Sequence, residues 1–158
     1  MKNIILFFCA FLFVMCKPAA THSATEIPVK KNVQYRDDFR SAPETVKKKV
    51  LQDLKAAEDQ YSVLIFTKSY KGEKIVVTNE KATLYSGSPI TNLKTGIAHK
   101  IRIENKLDTK IYDDYIKKEV VIDTYEAQKH KFIYLMKDPS NPKKPYLITY
   151  SNTLRPLD

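Results

Sequence analysis

The apolar positions of this chain fall into three rhythms. Ile4 to Cys16 is an uncharged run of 13 residues. Between Ser41 and Asp59, apolar residues return every three or four positions. From Tyr61 onward, short apolar runs alternate with polar residues and are cut by turn formers.

The middle rhythm predicts a helix over about 42–59. Ser41 followed by Glu44 has the spacing of a capping box, and Pro43 suits a first turn. Val46, Val50, Leu54 and Ala57 form a stripe that Leu51 widens, opposite Lys47, Lys48, Asp53, Lys55 and Asp59. Glu44 and Lys48 are spaced as a favourable pair. Such a stripe must cover something, most simply one face of a sheet. Residues 25–40, ahead of the helix, carry no sustained period and read as an extended lead-in.

The third rhythm predicts strands. Residues 61–67 are β-branched and aromatic; after a turn at Gly72, residues 74–79 pair back on them as a hairpin. Further strands are expected at 82–85, 100–104, 109–112, 119–125, 131–136 and 146–150. In the 100–104 strand, Ile101 and Ile103 face inward while Arg102 and Glu104 face outward. Two stretches echo each other 26 residues apart, Glu73–Asn79 and His99–Asn105, each followed by an aliphatic-Tyr pair. Hairpin chemistry built on Asn accounts for the echo without a duplication. Short strands with turns every 8–12 residues predict a mostly β, antiparallel sandwich with one N-terminal amphipathic helix. The stretch 99–150 resembles a small immunoglobulin-like sandwich of the kind found in exported bacterial proteins. The alternative is an α+β domain, its helix packed on one antiparallel sheet.

The opening run changes the picture of where the protein works. A helix of that length covers about 20 Å of a roughly 30 Å hydrocarbon core, too little to span it. A basic start, Pro18 and the small residues Thr21, Ser23 and Ala24 match a secretory signal cleaved after Ser23 or Ala24. The expected division is therefore 1–23 signal peptide, 24–40 lead-in and 41–158 a single β-rich domain, exported to the periplasm or outside the cell. Cys16, at the end of the run, resembles the lipid-acceptor cysteine of bacterial lipoproteins, although Met15 stands where that motif wants a small residue. Lipidation there would anchor the protein to a membrane. Cys9 and Cys16 are the chain's two cysteines, so a cleaved product has no disulfide and no thiol chemistry.

Charge narrows the partners. The formal charge of +9 falls by two to +7 when Lys2 and Lys17 leave. The cations are dispersed and almost all lysine, with Arg36, Arg40, Arg102 and Arg155 the only arginines. That pattern speaks against nucleic acid, which is read by clustered arginine. Gly72, Gly87 and Gly96 are the only glycines, which excludes glycine-rich phosphate loops. Catalytic signatures are missing too: Ser86-Gly87-Ser88 lacks the flanking glycines of a nucleophile elbow, and His99 and His130 have no metal spacing. Both histidines are expected at exposed strand ends.

Two features remain as candidate chemistry. The segment 108–115 joins Asp113 and Asp114 to Tyr112 and Tyr115; neighbouring carboxylates on one strand face opposite ways, which favours a turn over a cation or acid-base site. Ten tyrosines and no tryptophan give strand residues with an apolar body and a polar tip. Tyr134, Tyr146 and Tyr150, with Tyr112, Asp113, Asp114 and Tyr115, form the candidate binding surface. The expectation is a noncatalytic binding or structural accessory module of the cell envelope, without cofactor or metal, meeting an envelope protein or polysaccharide. The alternatives are a small envelope hydrolase, which would bring His99 or His130 to Asp113 or Asp114 in one pocket, and a periplasmic immunity or inhibitor protein.

Overall fold

The computed structural model describes residues 32–156. The expected secretory signal, its expected cleavage site and Cys16 lie outside the described residues. Along the chain run β1 (Asn32–Tyr35), α1 (Glu44–Asp53), β2 (Tyr61–Phe66), β3 (Ile75–Thr78), β4 (Thr83–Gly87), β5 (His99–Glu104), β6 (Thr109–Asp113), β7 (Lys118–Ile122), α2 (Thr124–Ala127), β8 (Phe132–Lys137) and β9 (Tyr146–Ser151). The protein is mostly β. One sheet has five strands in the order β1-β9-β8-β2-β5 and the other has four in the order β4-β3-β6-β7.

The four-stranded sheet is antiparallel throughout, as expected. The five-stranded sheet is mixed: β1 runs parallel to β9 and β2 parallel to β8. Strands buried on both faces lose the alternation that marks a one-sided strand. The runs Val63–Phe66 and Phe132–Leu135, wholly buried, are of that kind. The hairpin expected between 61–67 and 74–79 does not form. β2 pairs with β5 and β8, while β3 pairs with β4 and β6 in the other sheet. The echoing stretches also part company. Asn79 turns the β3–β4 hairpin, its side chain accepting from the amides of Lys81 and Ala82. Asn105 is buried where the chain crosses between sheets and donates to the Asp59 carbonyl.

Two cores give the molecule three layers. Between the sheets lie Leu64 and Phe66 of β2, Ile101 and Ile103 of β5, and Ile133 and Leu135 of β8, against Ile75, Val77, Ile111 and Ile122 of the smaller sheet. Each such aliphatic side chain is worth about 1.5–3 kcal/mol when fully buried. On the other face of the large sheet, Val63, Ile65, Phe132 and Tyr134 are covered by Val50, Ala42 and Leu154, with Val46, Leu51 and Leu54 partly buried beside them. The predicted stripe of the helix thus covers a sheet face, as its spacing required.

The helix is shorter than expected. It ends at Asp53 in a Schellman motif: the Ala56 amide reaches the Leu51 carbonyl at 2.7 Å and the Lys55 amide reaches Gln52 at 2.9 Å. Lys55 holds φ 50°, a left-handed conformation usually given to glycine. The turn it makes buries Ala56, leaving Ala57 exposed. At the other end Pro43 occupies the N-cap and Ser41 donates to the Ala42 carbonyl, so the capping box is not made. Glu44 pairs with Lys47 at 3.7 Å instead of Lys48.

Two elements were not foreseen. β1 lies in the lead-in, and Asp37 just after it accepts from the Ser151 hydroxyl and the amides of Asn152 and Thr153. The folded unit therefore starts by Asn32, ahead of residue 41. The strand expected at 119–125 stops at Ile122, because Asp123 caps α2 by accepting from the Glu126 amide at 3.1 Å. No helix among the described residues is long and apolar enough to cross a membrane.

Candidate functional site

The acid-aromatic segment does become a site, though a buried one. Along β6, alternation sends Thr109, Ile111 and Asp113 inward. The Asp113 carboxylate is fully buried at the strand's end. One oxygen accepts from the amides of Tyr115 and Ile116 at 3.0 and 3.3 Å, which shapes the turn. The other accepts from the Tyr146 hydroxyl at 3.0 Å and lies 2.6 Å from the Lys137 ammonium. Lys137 also pairs with Glu73, whose second oxygen accepts from the Lys71 amide. Lys137 and Tyr146 belong to the large sheet and Asp113 to the small one, so this cluster ties the two sheets together at one end. Burial, and then the Asp113 charge, push the Tyr146 phenol well above its ordinary range, leaving it a donor. Tyr70, buried beside the cluster, is raised in the same way, and its hydroxyl has no hydrogen-bond partner among the described residues.

The remaining candidates separate. Asp114, pointing the opposite way, is exposed and pairs with Lys117 at 2.7 Å. Tyr115 is 81% exposed, and Tyr112 is partly buried. Tyr134, Tyr146 and Tyr150 are buried, so these three rings do not make an exposed platform. Alternation explains this for β9, where Tyr146, Ile148 and Tyr150 share the inward parity. Tyr134 faces the helix side, where its hydroxyl donates to the Thr153 carbonyl and burial pushes its pKa up to about 12. A cavity of about 460 Å³ opens over the acid cluster, bounded by Glu73, Lys137, Tyr115, Ile116, Pro139 and Pro145.

The histidines stand apart from these acids. His99 lies opposite Phe66 at the last residue of β2, stacked on Tyr85 at 4.4 Å. Burial, with the nearby Lys100 charge, lowers its pKa. His130 sits near the other end of β2, where its carbonyl accepts from the Ser62 hydroxyl. Its ring packs against both Tyr35 and Tyr150, with centroids 5.6 and 5.3 Å away, and its side chain, 15% exposed, is not at an open strand end. Among the described residues, no group of three or more His, Cys, Asp or Glu is placed to hold a metal ion.

A second cavity, of about 390 Å³, was not signalled by any sequence motif. α1 and the chain around Leu154 cover only part of the large sheet's outer face. On the uncovered part, Gln34 of β1, Leu147 and Thr149 of β9, and Tyr134 and Met136 of β8 form a floor. Arg36, Lys68 and Arg155 line it, and among the described residues no carboxylate does. Arg36 is engaged by Asp38 through two contacts of 2.8 and 3.0 Å. Arg155 is held differently. Its guanidinium lies 4.3 Å from the Phe39 ring centre and 4.4 Å from that of Tyr134, and its buried Nε has no partner among the described residues. Burial is the main cause that lowers its pKa, with Tyr134 opposing. Sequence reasoning passed over Arg155 because its partners, Phe39 and Tyr134, lie far from it along the chain.

No protein-family model matches this chain, and no curated protein matches it significantly.

Proposed function

We propose that this protein is an exported, noncatalytic binding module of the cell envelope, and that it binds through the cleft on the outer face of the five-stranded sheet. The observation that carries the reading is the lining of that cleft. An apolar and hydroxyl floor on the strands is ringed by Arg36, which Asp38 holds, and by Lys68 and Arg155, which form no salt bridge among the described residues, and this suits binding and orientation of a ligand. The groups best suited to acid-base work sit elsewhere: Asp113, Glu73 and Lys137 are spent on one another, and neither histidine pairs with them, His99 packing on Tyr85 and Phe66 and His130 lying beside Glu126. That separation weighs against the hydrolase alternative. Two packed sheets support the immunoglobulin-like sandwich as the finer architectural reading; the parallel pairs β1–β9 and β2–β8 weigh against it.

Export is tested by the mass of the product recovered outside the cytosol. An unmodified N-terminus at Ala24 or Thr25 supports the soluble form, an acylated Cys16 supports the anchored form, and full-length protein held in the cytosol overturns both. Binding is tested with methyl-labelled methionine, because Met136 is the chain's only methionine beyond the signal segment and lies in the cleft. Its NMR methyl resonance should shift when envelope extract is added. A resonance unmoved at saturating extract overturns the cleft reading.

An inhibitor or immunity role draws on one further observation. Leu93 is 96% exposed at the tip of a turn braced by Asn92, whose side chain accepts from the Lys94 and Thr95 amides. If a protein partner docks there, Leu93→Ser abolishes co-purification of that partner; unchanged co-purification sinks the idea.

A further inference from the structure

We infer that Arg155 is the receptor for a carboxylate group, and that the apolar body attached to that carboxylate lies along Ile97, Met136 and Leu147. The inference rests on the cleft reading above and specifies its ligand.

Arginine presents a planar fork of donors that matches the two oxygens of a carboxylate. Phe39 and Tyr134 fix the plane of this one. A group so held has already lost the rotamer freedom that a free arginine loses on binding. Among the described residues no acceptor meets the Arg155 side chain, whereas Arg36 is matched by Asp38. A partly buried guanidinium whose Nε meets no acceptor among the described residues is costly, and a bound anion offsets that cost.

The surroundings choose the rest of the ligand. Lys68 adds positive potential, so the field over the cleft attracts an anion from solution. Ile97, Met136 and Leu147 line the same cavity and offer contacts to hydrocarbon rather than to a hydrated ion. At about 390 Å³ the cavity sits near the small end of ligand sites, which run from about 300 to 1,000 Å³. The fitting class is therefore a small carboxylate with an apolar tail. Two sources share that chemistry: a free fatty acid and the C-terminal carboxylate of a peptide ending in an apolar residue.

The test follows the Met136 methyl resonance in purified protein at low salt during titration with decanoate, with decan-1-ol, and with an apolar peptide bearing either a free or an amidated C-terminus. The expected result is saturable binding of decanoate or of the free-acid peptide, whichever source is correct. The neutral counterpart should bind about tenfold or more weakly. Arg155→Gln should weaken the carboxylate by a similar factor. Exposed Lys68→Gln, which leaves the packing intact, should weaken it by a smaller one. Lys110→Gln, on the other sheet, should have no effect. Equal binding of charged and neutral ligands, or an Arg155→Gln variant that folds and binds decanoate unchanged, overturns this inference while leaving the cleft as a binding site. Failure of every ligand and of the envelope extract to move the methyl resonance overturns both.

Discussion

Lys137 is the residue whose loss should reveal most about how the sheets are held together. Its ammonium lies between the carboxylates of Glu73 and Asp113; Lys137 and Glu73 have side chains 9% exposed, and Asp113 is fully buried. Lys137→Met keeps the aliphatic stem and removes the charge. Two buried carboxylates then face each other, left with the Tyr146 hydroxyl and three backbone amides. Removing one partner of a buried ion pair costs about 3–5 kcal/mol, against about 5–15 kcal/mol for the total stability of a domain. With a urea dependence of about 2 kcal/mol per molar, the midpoint should fall by about 2 M. Equilibrium urea unfolding at pH 7, followed by circular dichroism, measures it. Lys110→Met serves as the exposed-lysine control and should move the midpoint little. A variant that also carries Asp113→Asn and Glu73→Gln should recover most of the loss, because the repelling charges are gone. If Lys137→Met unfolds no earlier than Lys110→Met, the cluster does not clamp the sheets and the electrostatic reasoning fails.

Three further expectations follow from particular contacts. The His99 pKa is lowered in the folded state, so its free form takes up a proton first as the pH drops. Stability should therefore decline as pH falls below about 6.5 and level off once the folded form also titrates; in His99→Phe that part of the decline should vanish, as thermal melts between pH 7 and 5 will show. A Cβ on Gly87 would sit 2.5 Å from the Tyr85 hydroxyl oxygen, so Gly87→Ala should push that ring off His99 and cost about 1 kcal/mol; the His99 ring-current shift in NMR reports it, and an unchanged shift would mean that Tyr85 does not depend on the missing side chain. Lys55→Gly should raise stability by about 0.5–1 kcal/mol, since a non-glycine residue in the left-handed region costs about 1–2 kcal/mol and glycine's chain entropy returns part of that; a drop in melting temperature would contradict the Schellman assignment.

Much of the strand inventory was legible because periods of two survive wherever one strand face meets the core and the other does not. β5 and β6 show this directly, with Ile101, Ile103 and Ile111 inward and Arg102 and Lys110 outward. The order of strands in the sheets was not legible. β2 and β8 are apolar on both faces, so nothing local says which strand lies beside them or in which direction. β1 escaped notice for the opposite reason: four residues at a sheet edge, with only Val33 packed against the core, are too few to show a period.

The acid cluster was closer to hand than the motif search allowed. The count that sends Ile111 inward sends Asp113 inward two residues later. The count that sends Ile133 and Leu135 inward sends Lys137 there too, and Tyr146 shares its parity with Ile148 and Tyr150. A carboxylate and an ammonium at core-facing positions cannot stay unpaired, because an isolated buried charge is far too costly. These two therefore require each other, with the phenol as a further donor, and all three stand at the first or last residue of a strand, where an edge of the core is near enough to water to tolerate them. Strand parity, applied to charged as well as apolar residues, yields the pairing without any motif. It could not yield Arg155, which lies on no strand, and whose place beside Phe39 and Tyr134 is set by how the chain beyond β9 and the lead-in before α1 pack over the same sheet face.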